Sequence, residues 1–429
     1  MTTATHGTAQ DTARGVLTPR EHWSRSDRQL ALITLLLRLP QIMTPLGVLT
    51  WVAVSTSSAW TAALSGASLC FGMAVCGAGM ALFSNVRWRL GGLAGTCLIQ
   101  GVVMWQLSGA DVGDLAATGD TVSAVVPFFV AGLSLAPMGL AARLRWASVV
   151  HGEHRPGDFG SAMRRESVNE ALATVLAAAL TGLLAVLTGP DSVLRVSAAL
   201  SLVTMALFVA HPSARHPQAN MPATRWWRRQ GITHSEQLAA LRLRHELVYG
   251  IAALNALLGA AQGCLTVNSV SLESVESMGV MYALLGFGAA VGSSLAVRFR
   301  HRITAANMWV LMATGALLTS MLFSGPSGAL GFAAVLMAVG FFSGPCLTCI
   351  HSSAGLVDVA HGYIGIVALM NVASSAAMGV GLLACAYLGM HYDYMSAAMI
   401  PVVAAMVLLG TALLFSHGLR RRSGYEPGI

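Results

Sequence analysis

The sequence predicts an all-α membrane protein of twelve transmembrane helices, and three observations support that prediction. Twelve long apolar segments follow one another, the connections between them alternate in arginine content, and the composition is too apolar for an ordinary soluble domain. The mean hydropathy is +0.66, with 55% hydrophobic and 10% charged residues. Each segment supplies the roughly 20 apolar residues that a helix needs to cross a hydrocarbon core of about 30 Å.

Each predicted span is placed where such an apolar window fits. The first six spans cover residues 30–54, 59–83, 90–109, 121–142, 160–187 and 192–210. The second six cover residues 246–270, 277–297, 304–323, 329–350, 363–390 and 395–417. The predicted domains are therefore a tail 1–29, a six-helix bundle 30–210, a linker 211–245, a second bundle 246–417 and a tail 418–429.

The arginines predict the orientation of the chain in the membrane. They cluster near both ends, in the linker 211–245 and in every second connection, as at Arg143 and Arg145, whereas the other connections are acidic. Because cationic loops stay in the cytoplasm, both termini are predicted to be cytoplasmic. All 25 cationic residues are arginine, which we interpret as a GC-rich genome, so a bacterial plasma (inner) membrane is the expected location. The net charge of +7 then reflects topology, with membrane lipids and no nucleic acid as partners.

The two halves of the chain resemble each other. Gly47-Val-Leu-Thr50 recurs as Gly263-Cys-Leu-Thr266, and Phe71-Gly72 recurs as Phe287-Gly288. Arg87-Trp-Arg89 recurs as Arg300-His-Arg302, and all offsets lie between 213 and 216 residues. Parallel repeats of six spans joined by a long connection are typical of one class of transporters.

Two further segments carry a resemblance to a known family. The first span contains Arg38-Leu-Pro-Gln41-Ile-Met-Thr44-Pro-Leu-Gly47, and the fourth-to-fifth connection reads Gly152-Glu-His-Arg-Pro-Gly-Asp-Phe-Gly160. Over residues 30–417 the sequence resembles the major facilitator superfamily, especially actinobacterial members labelled as drug or metabolite exporters. The resemblance implies two pseudo-symmetric six-helix bundles that rock about a central cavity lined by the first, fourth, seventh and tenth spans.

One motif of that superfamily is degenerate here. The superfamily carries G-x-x-x-D-R-x-G-R-R between the second and third spans, whereas this chain has Phe83, Ser84 or Asn85 where the acid belongs. In the family that acid and its arginines belong to a charge network that latches one conformation. The resemblance therefore makes Arg87, Arg89, Arg300 and Arg302 candidate gating residues. Because the arginines remain, altered transport is favoured over lost transport.

Three charged residues are predicted to lie within the membrane. Arg38 lies roughly 12 Å along the first span, and Glu166 and Glu170 lie roughly 9 and 15 Å along the fifth, counted at 1.5 Å per residue. Their i,i+4 spacing places both carboxylates on one helix face, at a depth where Arg38 can meet them. Buried charges in membranes usually have a partner or a function, so Glu166 and Glu170 are candidate proton-coupling residues. In the alternative, Arg38 extends to the surface, and Arg164 and Arg165 pair with the glutamates.

Amides in other spans are candidates for substrate binding. Gln41 shares a face of the first span with Thr44, Asn255 and Gln262 share a face of the seventh, and Asn371 lies in the eleventh. Together with Arg38 they form the predicted substrate-binding set: Arg38, Gln41, Asn255, Gln262 and Asn371. In the alternative, these amides bond neighbouring helices.

The sequence contains no catalytic constellation and no nucleotide-binding loop, so we predict neither an enzyme nor a cofactor. Cys346-x-x-Cys349 is interpreted as a pair of packing residues rather than a metal site.

The predicted function is a secondary transporter that exports an amphipathic or hydrophobic small molecule by alternating access, with protons as a candidate coupling ion. The fourth span is predicted to lack a mid-membrane cation, which weakens the assignment as a standard drug/proton antiporter. Two alternatives remain: a non-transporting scaffold that binds an envelope-assembly protein, and a transporter of a lipid-linked envelope precursor.

Overall fold

The computed structural model describes residues 24–82, 86–110, 121–152, 159–215, 234–272, 274–299, 303–325, 328–357 and 363–422. Within these ranges all regular secondary structure is helical, and twelve helices are long and apolar enough to cross a membrane. The chain is therefore a multi-pass membrane protein, and the predicted all-α class is confirmed.

The helices of the first half are α1 (Arg25–Thr56), α2 (Ala59–Leu82), α3 (Val86–Ser108), α4a (Thr121–Ser134), α4b (Met138–Gly152), α5 (Phe159–Thr188) and α6 (Pro190–Ala210). Those of the second half are α7 (His234–Ser271), α8 (Met278–Phe299), α9 (Ala305–Ser320), α10 (Ala329–Val357), α11 (Tyr363–His391) and α12 (Tyr394–Arg422). Short 3₁₀ turns occur at Pro212–Arg215, Val275–Ser277 and Met321–Ser324.

The helices pack in two equivalent sets. In the first half α1 packs against α5 and α6, α2 against α4a, and α3 against α6. In the second half α7 packs against α11 and α12, α8 against α10, and α9 against α12. The two bundles meet where α2 contacts α11 and where α5 contacts α8, and these two contacts are themselves equivalent. The internal sequence repeat thus corresponds to two pseudo-symmetric six-helix bundles.

The bundles are in tight contact at the face opposite the chain ends. There a Cβ atom on Gly182 of α5 would lie only 2.8 Å from the backbone nitrogen of Val280 in α8, so glycine permits the approach. Small residues allow membrane helices to pack this closely. Trp60 of α2 and Tyr387 of α11 make an edge-to-face ring contact at 6.0 Å on the same face. The two bundles are therefore closely packed against each other on this face.

The predicted end of the fourth span at residue 142 is wrong. After a break at Pro137, helix α4b continues to Gly152, and Arg143 and Arg145 are buried within it. The sequence reading treated both arginines as loop residues because an isolated guanidinium is costly in a membrane. Here the Arg145 guanidinium lies 4.2 Å from the centre of the Phe208 ring, and its Nη1 donates to Ser213 Oγ at 3.1 Å. The fourth span therefore contains two buried cations, both beyond its predicted end at residue 142.

Helices α1 and α7 begin five and twelve residues earlier than predicted, the largest such differences in the chain. Helix α1 starts at Arg25, because the Ser24 hydroxyl accepts the Asp27 N–H and the Asp27 carboxylate accepts the Ser24 N–H, both at 3.0 Å. This reciprocal pair is a capping box, which satisfies N–H groups at the start of a helix. Helix α7 starts at His234, inside the predicted linker 211–245, of which residues 216–233 lie outside the described part of the chain.

Candidate functional site

A cavity of about 180 Å³ lies between the two bundles. All five predicted substrate-binding residues line it, and so does Glu170, whereas Glu166 lies behind the wall. Helices α1, α4b, α7 and α10 contribute as expected, and α2, α5, α8 and α11 contribute as well. Its polar lining comprises Arg38, Gln41, Arg143, Glu170, Thr174, Asn255, Gln262, Tyr282, Ser343, His351, Asn371, Ser374 and Ser375. Between these polar groups the wall is formed by aliphatic and methionine side chains.

Glu166 is the fully buried anchor of an ion-pair cluster in the first bundle. Its Oε1 accepts hydrogen bonds from Arg38 Nε at 3.0 Å and Arg38 Nη2 at 2.7 Å. Its Oε2 accepts from Trp146 Nε1 at 2.9 Å and lies 3.2 Å from the Thr34 hydroxyl. Both carboxylate oxygens are thus satisfied by donors from α1 and α4b, as a buried carboxylate requires.

Glu170 occupies the cavity side of the same cluster. Its Oε1 lies 3.2 Å from Arg38 Nη1, and its Oε2 makes a short contact with Arg143 Nη2. One turn of helix separates it from Glu166, so α5 presents both carboxylates to the same pair of helices. The Glu170 side chain is 26% exposed, whereas that of Glu166 is fully buried. Glu170 is therefore the carboxylate of the cluster that a proton can reach from the cavity.

The break in α4 brings the two guanidinium groups together. Gly139 follows Pro137 at the start of α4b, and its N–H donates to Gln41 Oε1 at 3.2 Å. The first N–H groups of a helix have no partner within the helix, so Gln41 fills a capping role while also lining the cavity. A Cβ atom at Gly139 would lie 3.1 Å from Arg38 Nη1 and 3.4 Å from Arg143 Nη1. The absence of a side chain here leaves room for both arginines.

A valine at position 139 is therefore expected to disrupt the cluster. The added side chain must displace Arg38 or Arg143, and forcing extra atoms into a packed site typically costs about 1–3 kcal/mol. Thermal unfolding of detergent-purified Gly139→Val should show a clear loss of stability. As a control, Gly95→Val on α3 adds the same atoms where a Cβ meets nothing within 4 Å. Equal stability of the two variants would contradict the steric role of Gly139.

His351 faces this cluster from the second bundle. It lies on α10, lines the cavity, and interacts electrostatically with Arg143 and Glu170. Its Nδ1 donates to the Leu347 carbonyl at 3.0 Å, because a carbonyl oxygen can only accept. The Nε2 atom remains for other contacts. The two bundles thus approach each other through titratable groups at one end of the cavity.

Amides and hydroxyls of the second bundle form the other wall. Asn255 Nδ2 donates to the Ile251 carbonyl at 2.9 Å, and Gln262, two turns further along α7, is almost fully buried. Asn371 of α11 lies against Gly77 of α2, where a Cβ atom would lie 2.7 Å from Asn371 Nδ2. The three predicted amides therefore surround one space, with Asn371 also at the contact between the bundles.

Several residues singled out in the sequence lie away from the cavity or outside the described part of the chain. Thr44 faces α6 rather than the cavity, since its hydroxyl lies 2.7 Å from the Ser197 hydroxyl. Cys346 and Cys349 are buried free thiols, and no potential metal-binding group occurs among the described residues. Among the candidate gating residues, Arg300 and Arg302 lie outside the described ranges. Arg87 and Arg89 lie in the first turn of α3, and their side chains are outside the description as well.

Sequence reasoning missed Arg143, Trp146 and His351. The signal for the first two was the set of apolar residues between and after the arginines, with which the span extends to Val150. His351 was not among the predicted site residues. The available signal was the position of this histidine in the tenth span, which was expected to line the cavity.

Comparison with solved structures agrees with this architecture. A crystal structure of a point mutant of the nucleoside transporter NupG matches with a TM-score of 0.61 and 13% identity, covering 91% of this chain and 99% of that one. The crystal structure of NupG itself matches with a TM-score of 0.56 and 13% identity, covering 92% and 100%. No family model matches the chain, and no curated protein does. The described residues therefore form a multi-pass membrane protein that has the fold of these solved structures, the major facilitator fold, with twelve spans.

Proposed function

We propose that the protein is a secondary active transporter that moves a small molecule through this cavity by alternating access. The observation that supports the proposal is the position of the ion-pair cluster at the cavity wall between two pseudo-symmetric bundles. Intramembrane charges that face a cavity are expensive and usually serve transport. The solved structures with this fold described above are those of a nucleoside transporter.

Glu170 is the proposed proton-coupling residue. Its two oxygens are shared between Arg38 and Arg143, and it is the cluster's carboxylate that faces the cavity. Protonation of Glu170 would leave two guanidinium groups opposite the single carboxylate of Glu166. The resulting excess positive charge would favour a different arrangement of α4b and α5. Proton binding and rearrangement of the cavity would then be thermodynamically linked.

The size of the cavity supports a small substrate. Pockets for drug-sized ligands are typically about 300–1,000 Å³, so a cavity of about 180 Å³ favours a compact solute over a lipid-linked precursor. A nucleoside is one candidate, suggested by the similarity to NupG. Export, the direction expected from the sequence, remains the proposed direction. The net direction of transport depends on the gradients across the membrane, so the test must measure the substrate both inside and outside the cell.

The test compares metabolites inside and outside cells of a deletion strain complemented with different variants. Asn255→Trp places a large side chain in the cavity wall, and Leu98→Trp places the same side chain on an exposed position of α3, away from the cavity. Both variants must reach the membrane at wild-type levels. We expect at least one compound to redistribute in the deletion strain and to be restored by wild type and Leu98→Trp, but not by Asn255→Trp.

Other outcomes would contradict transport. Identical metabolite profiles in all strains, together with an envelope defect in the deletion alone, would support the scaffold alternative. Restoration by Asn255→Trp at the wild-type rate would mean that the substrate does not pass through this cavity. Accumulation inside the deletion strain would indicate export, and depletion would indicate import.

A further inference from the structure

Two uncharged, buried polar side chains of the cavity have unused hydrogen-bonding atoms. Gln262 on α7 is 2% exposed and Ser343 on α10 is 3% exposed, and both line the cavity. No hydrogen-bond partner is present for Gln262 Nε2 or for Ser343 Oγ. Tyr282 interacts with the Gln262 side chain, but no acceptor among the described residues lies within hydrogen-bond distance of Gln262 Nε2. Buried polar atoms are nearly always paired, so two unpaired ones at one cavity need an explanation.

Ser343 differs from two hydroxyl residues on the cavity helices α7 and α10. Thr348, on the same helix, bonds to the Gly344 carbonyl at 3.1 Å, and Thr266 on α7 bonds to the Gln262 carbonyl at 2.8 Å. Such i−4 bonds are the usual way to satisfy a hydroxyl within a membrane helix. Ser343 makes no such bond, so its hydroxyl is free to turn toward a bound molecule. Gln262 likewise offers a donor that the protein itself leaves unused.

The charges at the cavity, in contrast, are already balanced. Arg38 and Arg143 face the carboxylates of Glu166 and Glu170, two cations against two anions. His351 completes the titratable groups of this region, with its Nδ1–H bound to a backbone carbonyl. An anionic substrate would have to displace a carboxylate from an arginine, and a cationic one would have to displace an arginine. Removing one partner of a buried ion pair is strongly unfavourable.

We infer that the transported molecule is an uncharged solute with hydrogen-bonding groups, held by Gln262 through an acceptor of the solute and by Ser343 through a donor or acceptor. A solute carbonyl or ring nitrogen suits the Gln262 amide, and a solute hydroxyl or amine suits Ser343. This inference rests on the proposed transport function and narrows its substrate class. It also assigns Ser343, which the sequence analysis did not select, to substrate recognition.

The first part of the test asks which compounds redistribute in the deletion strain described above. We expect them to be uncharged at neutral pH and to contain both hydrogen-bond donors and acceptors. Addition of adenosine or uridine, and of their monophosphates, to cells expressing the protein provides matched neutral and anionic probes. Competition with the native compound by the monophosphates but not by the nucleosides would overturn the inference. Redistribution of organic ions alone would overturn it as well, while leaving transport itself established.

The second part measures transport kinetics of the identified compound. Gln262→Met is expected to raise the KM at least tenfold with little change in maximal rate, and Ser343→Ala to raise it severalfold. Gln100→Met on α3 is the matched control, because Gln100 is equally buried but does not line the cavity. An unchanged KM in both Gln262→Met and Ser343→Ala would overturn the assignment. If no compound redistributes in any strain, it is the transport proposal that fails.

Discussion

Replacing Glu166 with alanine is expected to destabilise the protein by about 3–5 kcal/mol, the usual cost of removing one partner from a buried ion pair. Arg38 would keep only its 3.2 Å contact with Glu170, while Trp146 Nε1 and the Thr34 hydroxyl would lose the acceptor they share. The first bundle would thus contain an under-compensated guanidinium and an indole N–H that has lost its Glu166 acceptor. Thermal or denaturant-induced unfolding of the purified protein in detergent measures the effect.

The control for this prediction is an exposed ion pair. Asp191 and Arg195 form an i,i+4 pair at 2.7 Å on α6, where both side chains are partly exposed. Pairs of this kind contribute about 1 kcal/mol or less, so Asp191→Ala should change stability little. Trp146→Phe removes one donor to Glu166 and should fall between the two variants. Equal stability of Glu166→Ala and Asp191→Ala would show that the cluster is not an anchor of the first bundle.

Replacing Glu170 with glutamine is expected to abolish gradient-driven transport while exchange across the membrane persists. Glutamine retains the size and one acceptor oxygen of the side chain but carries no charge and cannot release a proton. The variant therefore resembles a permanently protonated Glu170, with Arg38 and Arg143 facing only Glu166. In proteoliposomes, accumulation driven by a pH gradient should fall at least tenfold, whereas counterflow of labelled against unlabelled substrate should continue.

Glu246→Gln provides the matched control, because this glutamate is half-buried on α7 and does not line the cavity. It should retain both modes of transport. Gradient-driven accumulation by Glu170→Gln at the wild-type level would rule out Glu170 as the coupling residue. Loss of both counterflow and gradient-driven accumulation in Glu170→Gln would indicate a structural role for Glu170 instead of a role in coupling.

The sequence determined the fold to a large extent, because membrane insertion depends on local properties of the chain. Each span needs its own run of apolar residues, so hydropathy alone located twelve helices. The internal repeat indicated two equivalent bundles, and the helix packing has that symmetry. Depth and the i,i+4 spacing, both fixed by helical geometry, also permitted the pairing of Arg38 with Glu166 and Glu170, beside the alternative that Arg38 extends to the surface.

The tertiary structure alone decided which polar groups satisfy one another. Arg143 was placed in a loop because, taken by itself, a guanidinium is too costly in a membrane. Its compensation comes from Glu170, 27 residues away, just as Arg38 is compensated by Glu166, 128 residues away. The same holds for the space that Gly139 leaves for two arginines and for the unused atoms of Gln262 and Ser343. Hydropathy is a property of each residue, whereas the cost of a buried charge depends on partners that only the packing of distant helices supplies.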